Sequence, residues 1–98
     1  MQKSLIYVND ENILLGRLDI LLESDTEFII IDIKACKEEK PDLKYVLQVL
    51  IYSCMYMLES NKIFKEIAIY SVLYGKIFRW DININLDIAK QFLDMLIL

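Results

Sequence analysis

The sequence predicts a single α/β (α+β) domain, a mixed β-sheet core flanked by helices in the order β-β-β-α-β-β-α. Three observations lead there. Hydrophobic residues make up 56% of the 98, against 2 Gly and 1 Pro, which is the composition of a densely structured chain. Apolar runs of strand length, bounded by turn-forming clusters, fill the first third and the region 66–82. Two stretches with apolar residues at helical spacing lie between and after them. A chain this short has material for one core, so residues 1–98 are read as one domain without repeat, linker or low-complexity tract.

Residues 4–8 form a short apolar run, and Asn9-Asp10-Glu11-Asn12 behind them has the polar composition of a hairpin turn. The second arm runs from 13 to about 23, Ser24-Asp25-Thr26 makes the next turn, and 28–35 is a third strand. Phe28, Ile29, Ile30 and Ile31 are apolar on both faces, which places that strand centrally in a sheet covered on both sides. Pro41 and Asp42 open the principal helix, which continues to about Ser60 with Leu43, Leu47, Leu50, Cys54, Met57 and Leu58 at helical spacing. Residues 66–74 and 76–82 read as two strands around Gly75, and 86–97 as a closing helix.

Composition also excludes. The longest apolar stretches fall well short of the roughly 20 residues of a membrane helix. The first residues lack the pattern of a signal peptide, so a reducing intracellular setting is expected, cytoplasmic or that of a viral protein in its host cell. With 2 Cys and 0 His, neither a four-thiolate zinc site nor an iron–sulfur cluster can form, and any metal must be held by oxygen. A net charge of −4 argues against a broad basic surface for nucleic acid, although a cation held by carboxylates can itself meet phosphate.

Side chains two apart in a strand share a face, so Phe28, Ile30, Asp32 and Lys34 point one way. Charges in so apolar a strand are costly unless paired or bound to something; the plainer reading is a polar strand end emerging into solvent. The preceding strand carries Asp19 between Leu18 and Ile20, and antiparallel pairing would bring it beside Asp32. Pairing of Asp19 with Arg17 or a lysine is the plainer alternative. Two converging carboxylates repel unless a cation lies between them, and hard oxygen ligands suit Mg²⁺ or Mn²⁺. On the principal helix Gln48 and Tyr52 are four apart and share a face with Tyr45.

Gly16-Arg17-Leu18-Asp19, Asp32-Ile33-Lys34 and Gln48-Val49-Leu50-Ile51-Tyr52 together resemble the three ordered blocks of the RecB-like branch of the PD-(D/E)XK nucleases. These are a glycine with an aspartate three residues on, Asp/Glu-x-Lys, and Gln-x-x-x-Tyr on a helix. The resemblance implies a restriction-endonuclease-like fold and a Mg²⁺-dependent deoxyribonuclease. On that reading Asp19, Asp32 and the Ile33 backbone carbonyl hold Mg²⁺ (or Mn²⁺), and Lys34 positions or activates the attacking water. Gln48 and Tyr52 brace the centre and touch DNA. Lys37, Lys40 and Lys44 can meet flanking phosphates, although Glu38 and Glu39 favour a solvated charged face.

The family usually begins with a helix that carries a Glu or His to the metal, and here three residues precede the first strand. Glu11, in a turn, is a poor substitute. The missing layer is expected from elsewhere in a longer chain, from a partner or from a second copy, since one sheet face would otherwise be bare. A catalytically silent nuclease-like domain, acting as a nucleic-acid-binding or assembly module, is the alternative.

Overall fold

The structure, a computed structural model, describes residues 3–35 and 39–97; Cys36, Lys37 and Glu38 lie outside them. Eight elements follow in order: β1 (Lys3–Asn9), β2 (Asn12–Leu18), β3 (Ile20–Glu23), β4 (Phe28–Lys34), α1 (Leu43–Ser60), β5 (Glu66–Ser71), β6 (Lys76–Asp81) and α2 (Leu86–Leu96). The mixed α/β class agrees with the sequence, with one strand more than expected.

β1 and β2 form the antiparallel hairpin, in register from Lys3↔Leu18 to Asn9↔Asn12. Asp10 turns it with φ 53°, a left-handed conformation that aspartate tolerates. The second arm is not one strand from 13 to 23. It breaks at Asp19, and β3 continues in a separate four-stranded sheet of order β3-β4-β5-β6. The reason is a contact across the sheet: the Asp19 carboxylate takes the Ile33 N–H, at 3.0 Å, that a continuing strand would have paired. The ladder between β3 and β4 accordingly ends at Ile20↔Ile31.

β4 is central, antiparallel to β3 and parallel to β5, and α1 is the crossover a parallel pair requires. The registers align side chains in rows across the sheet. Ile30, Ile67 and Trp80 share one row, Asp32, Ile69 and Phe78 the next, and Lys34, Ser71 and Lys76 the last, all on the face that meets α1. Phe28 anchors that face, edge-on to Tyr56 of α1 with ring centroids 4.8 Å apart.

The expectation of a sheet covered on both sides, drawn from β4 alone, fails, and the bare face expected from the missing first layer is what the fold shows. α2 packs against α1, and no described element packs on the opposite face, where Leu22, Ile33, Tyr70 and Ile77 are exposed. Both helices therefore serve one face.

Asp42 caps α1, its carboxylate accepting the Lys44 N–H at 3.1 Å, and Asn61 ends it in the left-handed conformation, φ 60°. The apolar stripe differs from the one read by spacing. Leu43 and Leu47 are 77% and 42% exposed, whereas Val49 and the run Ser53–Cys54–Met55–Tyr56–Met57 are buried. The C-terminal half of the helix is enclosed by sheet, hairpin and α2 together, so periodicity loses meaning there, while its first turns project beyond the core. Burial pushes the Cys54 thiol up to about 12, which leaves it inert. α2 is tied to the hairpin by Asp94, whose carboxylate accepts from Tyr7, from Asn9 and from Lys90. No helix among the described residues is long and apolar enough to cross a membrane.

Candidate active site at the end of the central strand

The alternation of β4 puts Asp32 and Lys34 on the inner face, as the sequence predicts, with Asp32 only 4% exposed. Asp19 reaches the same place from the bend between β2 and β3, because the pairing Ile20↔Ile31 leaves it next in line beside Asp32. Its Oδ2 accepts the Ile33 N–H. In a strand the N–H and C=O of one residue face the same edge, so the Ile33 carbonyl is directed toward Asp19 as well. The Lys34 carbonyl faces the other edge, where it accepts the Val72 N–H at 3.0 Å. Three oxygen groups thus converge where β3 has ended: the two carboxylates and one carbonyl.

Burial first, and the nearness of Asp19 second, push the Asp32 carboxyl up from 3.8 to about 6, with Lys34 opposing. Burial acts on Asp19 too, but it is outweighed by the Ile33 N–H, by a hydrogen bond with Asp32 and by the charges of Lys34 and Arg17, which hold Asp19 below its ordinary value. The pair is therefore split, with the deeper carboxyl keeping its proton to higher pH. Lys34 Nζ stands 3.1 Å from Asp32 Oδ2 and 4.8 Å from the centroid of the Tyr45 ring, which supports the ammonium by a cation–π contact. The Lys34 ammonium is the partner of the buried Oδ2, which no other hydrogen bond of good geometry reaches among the described residues.

A buried carboxylate oxygen with unused acceptor capacity, next to a second carboxylate and a carbonyl, suits a hard divalent cation. No group of three or more His, Cys, Asp or Glu side chains that could hold a metal occurs among the described residues. Water or another group would have to complete the shell of a cation held there. Glu11 cannot, being at the hairpin tip, the length of β2 or about 20 Å from Asp19.

Gln48 and Tyr52 meet each other, Gln48 Nε2 donating to the Tyr52 hydroxyl at 2.9 Å. No described hydrogen bond or ion pair joins either to Asp19, Asp32 or Lys34. Their link to the site runs through Gly16, where an added Cβ would lie 2.6 Å from the Tyr52 ring. The glycine three residues before Asp19 is thus needed for the close passage of that ring, which ties the first and third sequence blocks together sterically.

Two residues near the site were given no site role by sequence. Tyr45 was placed only on the helix face of Gln48 and Tyr52. Ser71 had none, because its place beside Lys34 depends on the β4–β5 register; its hydroxyl is fully buried without a hydrogen-bond partner among the described residues. Lys37 lies outside the described residues, and Lys40 and Lys44 are exposed.

Comparison with protein-family models, with curated proteins and with solved structures finds no match for this chain. Function must therefore be argued from the site.

Proposed function

We propose that this chain is a metal-dependent nuclease domain that hydrolyses phosphodiester bonds in DNA. The observation that carries the reading is the convergence of Asp19, Asp32 and the Ile33 carbonyl at the open edge of β4, with Lys34 alongside. Asp19 and Asp32 would hold Mg²⁺ or Mn²⁺ together with that carbonyl. A bound divalent cation supplies a water of lowered pKa and offsets charge on the scissile phosphate. Lys34, held over the Tyr45 ring, places a positive charge where the phosphoryl oxygens gain negative charge. The Ile33 N–H fixes the Asp19 carboxylate, and the Gln48–Tyr52 pair, packed on Gly16, fixes the strand that delivers it.

The test is cleavage of single- and double-stranded DNA with Mg²⁺, Mn²⁺ or EDTA, comparing wild type with Asp19→Ala, Asp32→Ala and Lys34→Ala. Cutting that needs metal and is lost in all three is the expected result. Folded wild type that cuts nothing refutes the proposal.

A second reading is favoured by one observation, the lack of a third acidic, His or Cys side chain in the described centre. In it the chain is a silent nucleic-acid-binding or assembly module, and partner binding survives loss of Asp19 and Asp32. Either way we propose self-association or a partner on the bare sheet face, since Leu22, Ile33, Tyr70 and Ile77 leave an apolar surface there. A monomer at micromolar concentration in sedimentation, with no partner bound, would contradict this.

A further inference from the structure

β6 turns Phe78 and Trp80 toward α1, yet both remain partly exposed. They line a cavity of about 490 Å³ whose other wall is the entry to α1, with Lys40, Pro41, Leu43 and Val46. The cavity is open to solvent, and the sheet registers relate its position to the candidate site. Phe78 shares its row with Asp32, two strand spacings away, or about 10 Å across the sheet. Lys76 precedes Phe78 by two residues on the same face and shares its row with Lys34. Lys40 stands at the rim. Carboxylates are nearby but engaged: Glu39 is 3.9 Å from Lys76, Asp42 caps α1, and Glu66 holds Arg79, which also borders the cavity.

We infer that this cleft receives a nucleobase of an unpaired strand whose backbone runs along Lys34 and Lys76. The inference rests on the nuclease reading for the identity of its ligand. An aromatic wall offers a ring face to any base, and lysines along one side offer charge to the phosphates, which is the combination that binds single strands. In a duplex the base faces are covered by their neighbours and only edges reach a protein. The cleft therefore selects single-stranded nucleic acid, frayed ends or flaps, in a molecule whose net charge of −4 gives no general attraction for DNA.

Trp80 is the only tryptophan of the chain, so its fluorescence reports on the cleft alone. Wild type in EDTA is titrated with a short oligothymidylate and with its duplex. Saturable quenching by the single strand, weaker by the duplex and reduced by salt, is expected. Binding of the fluorescein-labelled strand, followed by anisotropy, should weaken roughly ten-fold in Trp80→Leu and stay near wild type in Trp80→Phe. Phe78→Leu is a second variant should Trp80→Leu fail to fold, which circular dichroism checks. Absent quenching, a preference for duplex, or unaltered binding in both leucine variants overturns the inference. Because no metal is needed, quenching without cleavage would retire the nuclease reading and leave the cleft standing, whereas cleavage without quenching would retire the cleft alone.

Discussion

Asp32→Asn should make the metal-free protein more stable at neutral pH. The Asp32 carboxyl titrates at about 6 in the folded chain against 3.8 ordinarily, a gap of about two units worth about 3 kcal/mol. Its sign follows from which state holds the proton more tightly. The folded value is the higher one, so the folded state carries no penalty below pH 4, loses stability as pH climbs from about 4 to 6, and stays lowered above that. Asp19 shifts the opposite way, and its contribution is lost only as pH falls below the ordinary carboxylate range. The window above pH 4.5 therefore isolates Asp32. Asparagine keeps the shape, carries no charge to bury and can donate to Asp19. Lys34 loses its ion-pair partner in the exchange, which reduces the gain to about 1–3 kcal/mol at pH 7 to 8. Urea unfolding in EDTA between about pH 4.5 and 8 measures both chains. Wild type should weaken across the window and recover with excess Mg²⁺, whereas Asp32→Asn should do neither. A flat wild-type profile, or an asparagine variant less stable at pH 8, would refute the account of this carboxyl.

Three further outcomes are expected. Gly16→Ala should cost about 1–3 kcal/mol in urea unfolding, because its methyl group meets the Tyr52 ring, and should cost much less in a Tyr52→Leu background; equal costs in both would dissociate the two residues. Ser53→Ala should be neutral or stabilising by about 1 kcal/mol, since the buried hydroxyl has no hydrogen-bond partner among the described residues, and a clear loss of stability would reveal one. Asp94→Ala should lower the hydrogen-exchange protection of β1 and β2 relative to the middle of α1, since it frees Tyr7 and Asn9; unchanged protection would show that packing alone holds the hairpin.

The legible parts of this molecule are those fixed by local period. Alternation along β4 placed Asp32 and Lys34 on one face, and four-residue spacing placed Gln48 beside Tyr52. What escaped depends on partners far along the chain. The break at Asp19 is set by the Ile33 N–H, fourteen residues on. The exposure of Leu43 and Leu47 follows from where the sheet stops, and the row Lys34–Ser71–Lys76 from the register of two later strands. The outer sheet face was read two ways: the run Phe28–Ile31 suggested double cover, because aliphatic composition reports the wish for burial and not its fulfilment, whereas the missing first layer implied exposure, which the fold shows.

The bend at Asp19 makes the hairpin a lever. β1 and β2 rest on α1 and are latched to α2 by Asp94, while β3 belongs to the sheet, and the joint between these two bodies is the residue that carries a site carboxylate. A swing of the hairpin would pull on Asp19 against its hydrogen bond to the Ile33 N–H, which holds the carboxylate to the sheet.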